Sequence, residues 1–169
     1  MIGEIETLHP AFRFAVDAIL QDMKAKGWDP VIGSGMRSNE QQDAIYAQGR
    51  KPLEVVNTLR VGTGLSRIAA AENRRPVTYA RGGESNHNKA HSMLPHGRGA
   101  VDVTTGYAVD IVDRRHGWEP RDVRFWDELG RAAKKHGCVW GGDWKGKKRD
   151  VAHVEMKLID SAPRTSFEV

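Results

Sequence analysis

Short apolar segments of two different periods follow one another along this chain without settling into a regular strand-helix rhythm, and that irregularity argues against a doubly wound parallel sheet. Phe12, Phe14, Ala15, Ala18, Ile19 and Met23, after His9-Pro10, form an apolar stripe at helical spacing that stops at Gly27. Pro30 to Ser34 reads as a short strand. Ser38 then precedes a helical run through Gln42, Ile45 and Tyr46 that closes at Gly49. Between Lys51 and Arg75 the apolar residues fall at mixed spacings broken by Gly62 and Gly64, and no element is assigned. Gly106 to Val112 predicts a strand. Glu119-Pro120 opens a helix with an apolar face of Val123, Trp126, Leu129, Ala132 and Ala133, ending at Gly137. Val139-Trp140 and Val151 to Met156 predict two more short strands. The pattern specifies an α+β domain in which helices flank a small antiparallel sheet. The similar stretches at 99–103 and 107–111 are too short for a structural repeat and read as a local hairpin.

A chain of 169 residues is expected to form a single domain, 1–169, large enough to bury its own core. Its lone cysteine, Cys138, can form no internal disulfide and no cysteine-rich metal cluster. Any metal would therefore rest on histidine and carboxylate, with Cys138 a small buried hydrophobe. No apolar run approaches the roughly 20 residues needed to span a bilayer. Glu4, Glu6, His9, Arg13 and Asp17 interrupt the first 25 residues. The expectation is a protein made in the cytoplasm without an export signal and without stable membrane insertion. A net charge of +4 and a pI near 9.3 suit an anionic partner, whether cell wall, membrane surface or nucleic acid.

Residues 81–106 are rich in Gly, His, Ser and Asn, as expected of a long irregular connection that carries function. His87, His91, His96 and His153 lie off the apolar stripes. Imidazole and carboxylate together suit zinc, and a hydrolytic zinc site needs three protein ligands and an open position for water. Taken alone, a scattered histidine reads as a solvated or satisfied structural residue rather than as a ligand, so order and spacing must decide. His153 and Glu155 alternate with Val154 on a strand and so project to one side.

Five blocks resemble the zinc peptidases of family M15, which include D-alanyl-D-alanine carboxypeptidases, VanX- and VanY-type enzymes and many phage endolysins. Gly35-Met36-Arg37-Ser38-Asn39-Glu40-Gln41-Gln42, continuing to Tyr46-Ala47-Gln48-Gly49-Arg50, is similar to the first block, a glycine, a variable residue, Arg-Ser and a downstream glutamine. Val77 to His87 resembles the block ending in Ser-x-His, and Gly106-Tyr107-Ala108-Val109-Asp110 matches Gly-x-Ala-x-Asp. Trp140-Gly141-Gly142-Asp143-Trp144 and Asp150 to Glu155 resemble the last two. The resemblance implies a Hedgehog/DD-peptidase-like fold and Zn2+ held by His87, Asp110 and His153. It further implies Asp150 as general acid/base and Arg37 on the substrate carboxylate or scissile carbonyl. Ser85 would shape the loop, Glu155 would orient a ligand, Trp140 would pack the core, and Trp144 would serve either core or cleft. In the family the His and Asp belong to one continuous run, whereas here Asn88 to Thr105 intervene. That segment reads as a loop insertion at 88–105; the alternative pairs His96 with Asp102.

The implied function is that of a monomeric phage endolysin cutting the peptidoglycan stem peptide, between L-alanine and D-glutamate. It would reach the wall after membrane permeabilisation. The alternatives are a D-alanyl-D-alanine carboxypeptidase or dipeptidase, a metal-dependent nuclease suggested by Asn86-His87-Asn88 and His91, and a catalytically silent wall-binding module.

Overall fold

The computed structural model describes residues 5–88 and 106–157, so His91, His96, Asp102 and the stretch 99–103 lie outside the described residues. A helix α1 spans Pro10–Ala25, with the proline in its first turn, where a missing N–H costs nothing. Phe12, Val16, Ile19 and Met23 form its buried stripe. Strand β1 (Pro30–Ser34) follows, and then helix α2 (Asn39–Tyr46). Ser38 and Gln41 start α2 with a reciprocal capping box, each side chain accepting the other's backbone N–H.

Helix α3 (Leu53–Gly62) occupies part of the segment to which no element was assigned. Its stripe is weak because Val55, Leu59 and Val61 are exposed, while Val56 and the polar Asn57 are buried. Asn57 exchanges two hydrogen bonds with the backbone of Ile68 and pins the loop that follows.

Strand β2 (Ala108–Asp113) precedes helix α4 (Arg124–Lys135), which begins four residues beyond the expected Pro120. Asp122 sets that start: its carboxylate accepts the Arg124 N–H and its carbonyl accepts the Phe125 N–H. Strands β3 (Cys138–Trp140) and β4 (His153–Met156) complete a four-stranded sheet of order β1-β2-β4-β3, antiparallel throughout. The described partners of β2 are β1 and β4.

One face of the sheet carries the hydrophobic core. Val109, Ile111 and Val154 meet the α1 stripe and Phe125, Leu129, Ala132 and Ala133 of α4. Trp28 and Trp126 pack edge-on against Phe125. Cys138 belongs to this core, and burial pushes its thiol up to about 11. Trp140 is also in the core, its ring N–H donating to the Val151 carbonyl at 2.8 Å. Among the described residues no helix is long and apolar enough to cross a membrane.

Candidate metal centre

Strand alternation turns Asp110 away from the helix layer, because its neighbours Val109 and Ile111 face the core. His153 and Glu155 are turned the same way by the core-facing Val154. The register places Asp110 directly opposite His153 across the β2/β4 pair and next to Ser34 on β1. Cross-strand neighbours of this kind have Cβ atoms about 5 Å apart, so two side chains meet without any loop geometry.

His87 comes from the irregular segment before β2, which is stitched on both sides. Its carbonyl accepts the Arg37 N–H at 2.7 Å, and the neighbouring Asn86 carbonyl accepts the Tyr107 N–H. Ser85 shapes this turn, its hydroxyl accepting the His87 N–H at 3.3 Å. Asn88, the first residue of the expected insertion, is fully buried and belongs to the scaffold. Its side chain bonds the Arg37 and Ser38 carbonyls and the Gly83 and Ser85 N–H groups.

Three atoms converge at this point. His87 Nε2 lies 3.2 Å from His153 Nδ1, and Asp110 Oδ1 lies 3.3 Å from the first and 3.4 Å from the second. Four-coordinate zinc with bonds of about 2.0–2.2 Å requires ligand-to-ligand edges of about 3.3–3.6 Å, so the observed triangle matches one face of such a tetrahedron. Asp110 Oδ1 is buried and, although near both rings, finds no hydrogen-bond geometry with either. An orphaned carboxylate oxygen between two imidazole nitrogens fits a cation.

The outer ring nitrogens are committed elsewhere. His87 Nδ1 is 2.8 Å from the Gly35 carbonyl, which can only accept, so its proton is there and Nε2 keeps a lone pair. His153 Nε2 is 2.9 Å from Glu155 Oε2, which leaves Nδ1 turned inward. Glu155 is itself held by the Asn86 amide at 2.9 Å. The other Asp110 oxygen, Oδ2, accepts from Arg37 Nη2 at 2.5 Å.

The charges are arranged accordingly. Burial opposes ionisation of Asp110, but His87 and Arg37 overcome it and hold the carboxyl well below the ordinary range. Burial and the adjacent Arg37 depress His87, which favours the neutral form that a metal requires. His153 is pushed up to about 9: burial opposes its charge, but Asp110 and Glu155 more than compensate. Asp150 is raised by burial and by the negative charge of Asp110. Its backbone joins the site, since the Asp150 carbonyl accepts the His153 N–H at 3.4 Å. The Trp144 ring stands 4.9 Å from the His153 ring and walls this side.

Arg37 is more heavily committed to the protein than a substrate clamp needs to be. Besides Asp110, it donates from Nε to the Ser34 hydroxyl and from Nη1 to Gln42 Oε1. Of the five N–H groups of a guanidinium, two remain beyond these bonds. Gln42 and Asn86 are the functional residues that sequence reasoning passed over as actors. The available signal was polarity in the wrong place: Gln42 is fully buried on α2 beside the buried Ala44. Asn86 was read only as part of an Asn-His-Asn cluster, whereas its amide serves Glu155.

Comparison with known proteins falls on the same residues. Residues 80–156 match the sequence model of a family described as D-alanyl-D-alanine carboxypeptidase. Over 152 residues the chain is 32% identical to the peptidoglycan L-alanyl-D-glutamate endopeptidase CwlK of Bacillus subtilis, an overlap covering 88% of this chain and 73% of that protein. The fold is similar to that of VanYB in complex with D-alanine-D-alanine, at a TM-score of 0.52 and 15% identity over 88% of this chain and 71% of that one. A variant of the vancomycin resistance D,D-pentapeptidase VanY in complex with Zn(II) has the same TM-score at 16% identity, over 88% and 72% of the two chains. With the family match falling on the segment that carries His87, Asp110 and His153, and with a relative this similar over most of both sequences, the chain belongs to peptidase family M15, the metallopeptidases of the bacterial cell wall.

Proposed function

We propose that this protein hydrolyses a peptide bond in the stem peptide of peptidoglycan, between L-alanine and D-glutamate, at a zinc ion held by His87, Asp110 and His153. The observation that carries the reading is the triangle of His87 Nε2, His153 Nδ1 and Asp110 Oδ1, with edges of 3.2–3.4 Å and both outer ring nitrogens already engaged. The bond assignment is supported by the 32% identity to a peptidoglycan L-alanyl-D-glutamate endopeptidase. When bound, zinc supplies Lewis-acid activation of a water nucleophile and of the scissile carbonyl.

The protein's own groups move and hold the protons. Asp150, whose carboxyl is raised towards working pH by burial and by Asp110, takes the proton of the attacking water and delivers it to the departing amine. Arg37 fixes Asp110 through Oδ2 and offers its remaining N–H groups to the oxygen on which charge develops. Glu155, braced by Asn86, keeps the His153 ring in one orientation. The nuclease alternative loses its basis in Asn86-His87, because those side chains are spent on Glu155 and on the metal triangle. Residues 1–169 read as one catalytic domain with an insertion within 88–105. The finer role of a monomeric phage endolysin rests on the resemblance of the blocks alone.

Mass spectrometry of fragments released from purified peptidoglycan tests the chemistry. New L-alanine carboxyl termini and D-glutamate amino termini are expected. Cleavage at another bond overturns the bond assignment, and intact stems overturn the hydrolase reading. Metal analysis of the same protein should find about one zinc per chain. His153→Ala should lose most of that zinc together with activity, and full activity in this variant would overturn the ligand set.

A further inference from the structure

A second cluster of charged and aromatic side chains lies along α2, outside the metal triangle. The Tyr46 ring carries two guanidinium groups, Arg50 at 3.9 Å and Arg81 at 5.2 Å from its centroid, and Arg50 is also 5.7 Å from the ring of Tyr79. Tyr79, Arg50 and Arg81 are exposed, Tyr79 to 57%. The two arginines differ in their commitments. Arg50 braces the structure, donating to the Tyr46 and Thr78 carbonyls at 2.6 and 2.9 Å.

Arg81 rests against Tyr46 and closes no ion pair among the described residues. The Tyr46 hydroxyl is its foremost partner, and Glu84 and Asp43 lie nearby and attract it more weakly. Each nevertheless uses a carboxylate oxygen on the backbone, Glu84 on the Arg81 N–H and Asp43 on the Gly82 N–H, both at 2.7 Å. Two like charges are thus held against one ring, with one guanidinium fork open to solvent.

This cluster is fixed to the metal centre through Gln42. The Gln42 Oε1 atom accepts from Arg37, which holds Asp110, while Nε2 donates to the Thr78 hydroxyl and the Ala80 carbonyl, on either side of Tyr79. Tyr46 lies about one helical turn past Gln42, roughly 6 Å along the axis. An extended peptide advances about 3.3 Å per residue and covers that interval in about two residues. A guanidinium fork matches a carboxylate in two parallel bonds, and an adjacent tyrosine offers an apolar face to the aliphatic part of the same residue.

We propose that Tyr46, Tyr79, Arg50 and Arg81 form a carboxylate-binding subsite for the wall stem peptide. Arg81 makes the direct contact, and the subsite favours stems whose carboxylates away from the cleaved bond are free over stems in which they are amidated. The inference rests on the stem-peptide reading of the metal centre, and its test separates the two. Full-length Asp150→Asn protein, in which turnover is suppressed, is titrated calorimetrically with a free-acid stem pentapeptide and with the same peptide fully amidated. The free acid should bind about tenfold more tightly. The added exchange Arg81→Gln, at an exposed side chain, should reduce that ratio to about one. Equal binding of the two peptides by the parent protein, or a ratio unchanged by Arg81→Gln and hence set by Arg37, overturns the subsite. Failure of the hydrolase reading shows separately, as intact stems after incubation with the wild-type protein.

Discussion

Asp150 and His153 stand three positions apart, and the proposed mechanism gives them different tasks: His153 would present a lone pair to a cation, and Asp150 would carry a proton. Asp150→Asn should therefore separate them. The variant keeps the size of the side chain and leaves the triangle intact, so it should retain about one zinc while hydrolysis falls about 10²- to 10⁴-fold, as for loss of a general acid/base. Release of stem fragments and metal content measured on one preparation check this; loss of zinc would make Asp150 part of the binding set. The identities of these residues were legible because His87, Asp110, Asp150 and His153 sit in blocks that resemble those of a known family. The residues that orient them were not. Gln42 and Asn86 are ordinary polar residues in sequence, and only burial and a partner far along the chain give them a task. Arg37 shows the opposite case: a side chain expected at the substrate spends three of its N–H groups on the protein.

The elements around the site are joined by contacts with little tolerance. The Trp140-Gly141-Gly142 run leaves β3 and passes beneath Asp150, and both glycines are required by close approach. A Cβ on Gly142 would stand 2.1 Å from the buried Trp140 ring, and one on Gly141 would stand 2.5 Å from the Asp150 carbonyl. The indole cannot yield, because its N–H is tied to Val151. Gly142→Ala should cost about 1–3 kcal/mol in urea unfolding, with no change in denaturant slope.

On the far side, α1 and α4 are tied by Asp22, which accepts from Lys135 and His136 at 2.7 and 2.8 Å. These bonds, Lys135 first, hold the Asp22 carboxyl below its usual value of 3.8. A depressed carboxyl stabilises the fold above its unfolded pKa and loses that contribution as pH falls through the folded value. Asp22→Asn should accordingly lower Tm slightly at about pH 7, and the difference from wild type should vanish at acid pH, once the Asp22 carboxyl is protonated in the folded state as well. An equal difference at both would exclude this ion pair as the cause. Periodicity located α1, α2, β2 and β3 well, since each has a clear apolar pattern. It missed α3, whose stripe is mostly exposed, and it opened α4 four residues early, since the chain first turns at Asp122, whose carboxylate accepts the Arg124 N–H, and the helix begins only after Val123.

Taken together, the fold stacks two helices on one sheet face and gathers Asp110, His87, His153, Glu155 and Arg37 on the other. Holding this many ionisable groups out of water is costly unless a cation completes them. Metal removal should therefore act on stability as well as on activity. With zinc at about 100-fold over its dissociation constant, binding adds about 2.7 kcal/mol, which for a chain of this size is a Tm shift of roughly 5–11 °C. Scanning calorimetry with and without a chelator should show that loss and its reversal by added zinc; an unchanged Tm would count against a resident metal.

The order of residue types along the chain was sufficient for the α+β class, for most element positions and, through resemblance, for a short list of ligands. Periodicity and capping are local, and the family blocks are contiguous stretches, so both survive in one dimension. Convergence does not. That Asp110 and His153 face each other depends on the β2/β4 register, and a slip of one residue would turn Asp110 into the apolar core. Likewise, His87 reaches them only because Arg37 and Tyr107 clasp its segment from both sides. The sequence carries the proposed ligands, and only hydrogen-bonded strand register with burial on both faces of β2 brings their donor atoms within one tetrahedral face of each other.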